Sequence, residues 1–128
     1  MTKEIWLFGN IDLPQDSLPL RLQERLSSEF PNIKFIVQDP LDEWVMPEQL
    51  YIIDTVQGLD KVTVFNSLDQ FQKTPSVTMH DFDLGMQLRM LQKVGQLPKL
   101  TIFGVPSGAP EDDVLTQLIE AIRTLLGK

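Results

Sequence analysis

The feature that most constrains the fold of this chain is an alternation of short apolar runs with segments of helical periodicity. Candidate strands lie at residues 5–8 (IWLF), 33–37 (IKFIV), 50–53 (LYII) and 100–103 (LTIF). Such short, strongly apolar segments are typical of strands buried on both faces of a sheet. A fifth segment, residues 61–65 (KVTVF), alternates polar and apolar residues, which predicts a half-exposed edge strand.

Three segments between and after these strands carry helical periodicity. Leu18, Leu22 and Leu26 recur at every fourth position and predict a helix over residues 16–29. A second leucine-rich segment, residues 84–94, predicts a helix that stops at Gly95. Pro110 and three acidic residues predict the start of a last helix with a wide apolar face over residues 114–126.

The order of these elements predicts an α/β protein. We expect a three-layer α/β/α fold with a mostly parallel, twisted central sheet of about five strands, and helices on both faces. A chain of 128 residues has the length of one domain, so residues 1–128 are expected to form a single domain.

Composition narrows the possible functions. The net charge of −7 argues against binding to nucleic acid or to an anionic membrane, since both require a basic patch. The absence of cysteine excludes disulfides, cysteine-based zinc sites and a thiol nucleophile, so a metal would need histidine and carboxylate ligands. The apolar run at residues 5–8 is far too short for a signal or membrane-spanning sequence, and we expect a soluble, cytoplasmic protein. We also expect it to be a monomer.

Three residues are candidates for a functional site. Asp16 and His80 lie near predicted helix starts, and Asp54 directly follows the apolar residues of the third strand. Ligands of open parallel sheets bind beyond the carboxyl ends of the strands, where these three residues would meet. Two carboxylates and the only histidine form a plausible metal site with open coordination positions.

Each candidate also has a structural interpretation. Asp16 could be the N-cap of the first helix, and His80 could simply begin a later helix. Asp54 is harder to explain in this way, because an acid that follows an apolar run on a central strand needs a partner or a function.

The neighbours of His80 are better explained by structure than by chemistry. Asp81 and Asp83 are most simply capping residues of the helix that follows. Three methionines of the same region are expected to fill the core or a groove rather than to bind a metal: Met79, Met86 and Met90.

The order of these motifs resembles the hydrogenase maturation endopeptidases, which remove the C-terminal tail from the nickel-bearing large subunit of NiFe hydrogenases. The resemblance is carried by LFGNIDLPQDSLPLRLQERL, YIIDTVQG and SVTMHDFDLGMQLRMLQKVGQLPKLTIFGV. It implies that Asp16, Asp54 and His80 bind the nickel of the immature substrate, with Zn²⁺ or Cd²⁺ as substitutes in vitro. It also implies a catalytic role for Asp16 and Asp54, and the hydrogenase large-subunit precursor as the partner.

Three loops differ from that family, one of them being the brief segment between the last strand and the last helix at residues 104–110. Ser17 follows the first acid, where the family usually has glycine, and Asp39-Pro40 replaces a glycine-containing turn after the second strand. A non-catalytic relative that binds a hydrogenase subunit or assembly factor is therefore an alternative. A receiver-type phospho-signalling domain is a weaker one, because the acidic pair that would bind Mg²⁺ after strand one is replaced by Gly9-Asn10.

Overall fold

The computed structural model describes residues 3–74, 76–79 and 82–127. Within these ranges the strands are β1 (Lys3–Leu7), β2 (Ile33–Val37), β3 (Gln49–Gln57), β4 (Thr63–Phe65), β5 (Thr78–Met79) and β6 (Lys99–Pro106). The helices are α1 (Leu18–Arg21), α2 (Gln23–Glu29), α3 (Leu68–Gln72), α4 (Phe82–Lys93) and α5 (Glu111–Leu126), and a short 3-10 helix spans Pro14–Asp16.

The strands form one mostly parallel sheet, as predicted. Its order is β2-β1-β3-β6-β4, with β5 paired to β3. The four long strands run parallel, whereas β4 is an antiparallel edge strand on β6. The sheet has six strands rather than about five, because the short β5 adds to the end of β3. The predicted edge strand is confirmed at Thr63–Phe65.

Helices cover both faces of the sheet, which confirms the three-layer architecture. On one face, α1, α2 and α5 bury their leucines and isoleucines against β1, β2, β3 and β6. On the other face, α3 and α4 pack on a core that includes Trp6, Phe8 and Ile52. The loop between β2 and β3 contributes Trp44 to this face, with its ring centroid 5.4 Å from that of Trp6.

Two predicted elements differ in the structure. The helix predicted over residues 16–29 is divided into α1 and α2 around Leu22. The N–H of Leu22 still donates to Leu18 O, and the N–H of Leu26 donates to Leu22 O, so the apolar face of Leu18, Leu22 and Leu26 is continuous and buried. Helix α3, which is capped by the Ser67 side chain, was not predicted because it is only five residues long.

The expectation that Met86 and Met90 fill the core or a groove is wrong. Their residues are 47% and 60% exposed, whereas Leu84 and Leu88 of the same helix are fully buried. Two residues along a helix correspond to about 200° of rotation, so the methionines lie on the face of α4 opposite the buried leucines.

Among the described helices, none has both the length and the apolar character needed to cross a membrane.

Strand β5 is held against β3 by a close backbone contact at Gly58. Val56 pairs with Met79, and Gln57 pairs with Thr78. Gly58 has a φ of 94°, and a Cβ built on it would lie 2.0 Å from Ser76 O. Only glycine therefore allows the chain after β3 to turn at this point while the segment before β5 crosses it.

We predict that Gly58→Ala destabilises the protein more than Gly95→Ala. Gly95 also has a positive φ, of 73°, but a Cβ there would meet nothing within 4 Å. Gly95→Ala should therefore lower the free energy of unfolding by only about 1 kcal/mol, the cost of placing alanine in the left-handed region. Gly58→Ala adds the clash with Ser76, for a total of about 2 kcal/mol or more by urea unfolding. Equal losses in the two variants would show that the contact with Ser76 does not constrain β5.

Candidate functional site

Asp54 lies inside the sheet rather than at the end of its strand. Its residue is 0% exposed, and it pairs with Gly104 of β6. On the other side, the N–H of Phe8 donates to Ile53 O at 3.1 Å. The expectation that Asp54 terminates the third strand is wrong: β3 continues to Gln57, because β6 and β5 both supply partners for Val56.

The side chain of Asp54 points to the face covered by α3 and α4. Side chains alternate along a strand, and Ile52 and Val56 pack in the core on that face. Gly104 is beside Asp54 on the same face, where a Cβ would lie 2.9 Å from both Val56 Cγ2 and Leu59 Cδ1. Strand β6 thus presents no side chain next to the carboxylate, and the space is filled by Leu59 from the loop after β3.

Asp16 is placed near the carboxyl end of β1 by the turn that follows this strand. It is the last residue of the 3-10 helix and is 5% exposed. Asp16 O accepts a hydrogen bond from the Asn10 N–H at 2.9 Å. A Cβ on Gly9 would be 2.5 Å from that same oxygen, so glycine is required where β1 ends against the turn.

The interpretation of Asp16 as a helix N-cap does not fit this geometry. The N-cap of α1 is Ser17, whose side chain makes no capping hydrogen bond, and Asp16 precedes it within the 3-10 helix. A side chain that merely caps a helix is usually exposed, whereas Asp16 is buried. Burial of this acid calls for another explanation than helix capping.

The turn that carries Asp16 is braced by Arg21. Arg21 Nε donates to Ser17 Oγ at 2.9 Å, and the Ser17 hydroxyl donates to Pro14 O at 3.2 Å. The guanidinium also forms an ion pair with Glu111, at the start of α5. Arg21 therefore connects the turn to the helix on the same side of the sheet.

His80 and Asp81 lie outside the described residues, so the three-residue site stays a prediction. Within residues 3–74, 76–79 and 82–127, no three His, Asp or Glu side chains are grouped closely enough to hold a metal ion. Because β6 occupies one side of β3 as far as Val56, β5 must lie on the other side, beyond the end of β1. Asp83, in the first turn of α4, faces a groove that is also lined by Gly9 and Asn10.

That groove is open and acidic. It has a volume of about 600 Å³ and runs along the carboxyl ends of β1 and β2. Its walls include Asp39, Asp42 and Asp83 together with Val37. The acidic walls disfavour anionic ligands, whereas they would accommodate a cation or an uncharged peptide segment.

Sequence reasoning missed three polar residues of this region. Ser17 and Arg21 brace the Asp16 turn, and their spacing of four on a helix was the available signal. Thr55 is fully buried next to Asp54, and its hydroxyl has no hydrogen-bond partner within the described part of the chain. No sequence pattern distinguishes such a hydroxyl from an ordinary strand threonine.

Comparison with known proteins shows the fold. No protein-family model matches the sequence, and no curated protein matches it. The solution structure of an endopeptidase from Escherichia coli is similar, with a TM-score of 0.65 and 20% identity, covering 97% of this chain and 93% of that one. The crystal structure of an uncharacterized protein from Wolinella succinogenes has the same TM-score, 0.65, at 13% identity, covering 99% and 98%. At these identities the likeness establishes a shared three-layer architecture.

We predict that Arg21→Ala loosens the Asp16 turn and that Arg25→Ala does not. Both arginines form an ion pair with Glu111, but only Arg21 contacts Ser17 and the turn. Each variant should lose no more than about 1 kcal/mol of stability, since the ion pairs are exposed. Hydrogen exchange at the Asp16 amide should accelerate about fivefold in Arg21→Ala alone, the effect of losing one hydrogen bond. Equal acceleration in both variants would contradict the bracing role.

Proposed function

We propose that the protein is a hydrogenase maturation endopeptidase. It would remove the C-terminal tail of the nickel-loaded large subunit of a NiFe hydrogenase and recognise the nickel that this substrate carries. The observation that carries the proposal is the burial of Asp16 and Asp54 near the carboxyl end of β1. The motif order of the sequence and the fold shared with an endopeptidase from Escherichia coli support it.

The burial of Asp54 favours a functional role over a structural one. Placing a carboxylate inside a sheet is costly compared with an apolar residue of similar size. Its strand neighbours Ile52, Ile53 and Val56 are fully buried apolar residues, and an apolar residue at position 54 would continue their pattern. Functional sites commonly keep such unfavourable groups at a cost in stability.

The proposed roles follow from the elements that carry the two aspartates. Asp54 is on a central strand and Asp16 is on a braced turn, so the two carboxylates reach the site from different directions. With His80 they would provide two oxygen ligands and one nitrogen ligand for the nickel of the substrate, and leave positions for the substrate's own ligands. Either carboxylate could instead accept a proton from the water that attacks the scissile carbonyl.

The sheet topology argues against a receiver domain. Receiver domains have the flavodoxin-like order of five parallel strands, whereas the edge strand β4 of this protein is antiparallel to β6. The position after β1 also holds Gly9 and Asn10 instead of the acidic pair that binds Mg²⁺. Asp54 is therefore better explained as part of a peptidase-like site than as a phosphorylated residue.

We predict that Asp54→Asn abolishes removal of the tail while the protein stays folded. Asparagine keeps the size of aspartate but cannot act as an anionic ligand or as a general base. The melting temperature should be unchanged or higher, since the buried charge is removed. The test is co-expression with the large-subunit precursor, followed by the mass of that subunit.

Asp60→Asn is the matched control, because Asp60 is an exposed acid in the loop after the same strand. It should process the precursor normally. Normal processing by Asp54→Asn would remove Asp54 from the site, and loss of folding would make it structural. Failure of the unmutated protein to process any nickel-loaded precursor would favour the non-catalytic relative.

We also predict micromolar binding of Ni²⁺, with Zn²⁺ and Cd²⁺ as substitutes, by the free protein. His80→Ala, Asp16→Asn and Asp54→Asn should each weaken binding by at least about tenfold in calorimetry. Asp39→Asn is the control, because Asp39 is an acid of the neighbouring groove. If Asp39→Asn weakens binding as much as the other three variants, the metal is attracted by the acidic groove rather than bound at the predicted site.

A further inference from the structure

A second cavity lies on the α3–α4 face of the sheet, apart from the acidic groove. It has a volume of about 430 Å³ and lies between α3, β5 and α4. Most of its wall is apolar, and the one charged residue in the described part of its lining is Arg89. The lining also includes Leu68, Phe71, Val77, Met79 and Gly85. Its chemistry therefore differs from that of the groove, whose charged walls are acidic.

Gly85 and Arg89 shape the opening of this cavity. A Cβ on Gly85 would lie 3.8 Å from Met79 Sδ and 3.4 Å from Arg89 Nη1. The glycine thus leaves space between α4 and β5, and the guanidinium folds back along the helix toward that space. Three other arginines form ion pairs with carboxylates, whereas Arg89 forms no hydrogen bond or ion pair with any residue in the described ranges.

The cavity lies close to Asp54, one of the two proposed catalytic residues. Met79 lines it and pairs with Val56 of β3. Val56 is two residues from Asp54 and points to the same face, a spacing of about 7 Å along a strand. Strand β5 pairs with β3 along one edge, and no other described strand pairs with it. An extended peptide could therefore add to β5 through backbone hydrogen bonds.

We infer that this cavity is a peptide subsite, which takes an apolar side chain between α3, β5 and α4 and a neighbouring carboxylate on Arg89. The inference rests on the proposed function, because it assigns the subsite to the substrate of the same endopeptidase. An apolar wall selects the side chain by burial, and a guanidinium at the rim selects a carboxylate by paired hydrogen bonds.

The test uses fluorescein-labelled octapeptides of serine and threonine, with their binding to the full chain measured by anisotropy. The first carries one leucine followed by glutamate and has an amidated end. The second has glutamine in place of glutamate, and the third ends on leucine with a free carboxylate. We expect the first or the third to bind about tenfold more tightly than the second. Which of the two binds shows whether the carboxylate comes from a side chain or from a chain end.

Arg89→Gln should reduce the affinity for the carboxylate peptide about tenfold and leave that for the glutamine peptide unchanged. Lys93→Gln is the matched control, because it removes the same charge one turn further along α4 and outside the cavity. Gly85→Leu places a side chain in the cavity and should weaken the binding of all the peptides. Equal effects of Arg89→Gln and Lys93→Gln, equal affinity for charged and neutral peptides, or no binding of any peptide would overturn the subsite.

Failure of the subsite and failure of the proposed function are distinguishable. Suppose that Arg89→Gln processes the precursor normally and that no peptide binds the unmutated protein more tightly than this variant. The subsite is then wrong, and the proposed endopeptidase activity is retained. If the peptides bind as expected but no nickel-loaded precursor is processed, the cavity is a peptide-binding site and the proposed endopeptidase activity is wrong.

Discussion

The pairing of β3 with β6 is the constraint on which the rest of the structure depends. The two strands are in register from Gln49 and Lys99 to Val56 and Pro106. Every other described strand is attached to this pair, either directly or through β1. Because both strands are long and parallel, their apolar residues face both helical layers, and a polar residue at position 54 is enclosed rather than exposed. The buried position of Asp54 is a consequence of this ladder.

Close backbone contacts shape the loops at the carboxyl ends of the parallel strands. Gly9 lets the 3-10 helix approach the end of β1, and Gly58 lets the segment before β5 cross the end of β3. In each case a side chain would displace a neighbouring carbonyl, so the glycine is needed to form the loop. Arg21 then holds the Asp16 turn against α1 and α5. The loops at the carboxyl ends of these strands are thus fixed in place by close backbone contacts.

Helix α4 has one face buried in the core and another face exposed to solvent. Leu84 and Leu88 contribute to the core, whereas Met86 and Met90 are exposed to solvent. The cavity bounded by Arg89 separates part of α4 from α3 and β5. In a protein with a net charge of −7, a cation beside an apolar cavity is a local exception to the overall charge. The acidic groove and this cavity therefore favour different ligands: the groove favours cations, and the cavity favours carboxylates on apolar chains.

By itself, the sequence determined the fold class, the four buried parallel strands, the half-exposed edge strand and the last two helices, since short apolar runs, polar-apolar alternation and a period of 3.6 residues are local properties. It also singled out Asp16 and Asp54, which the structure buries near the carboxyl end of β1, while His80 lies outside the described residues. The tertiary structure alone decided that β3 continues past Asp54, that β5 exists, and that Met86 faces solvent. These features depend on partners far away in the chain. A strand continues wherever a neighbour supplies hydrogen bonds, and a side chain is buried only where another element covers it.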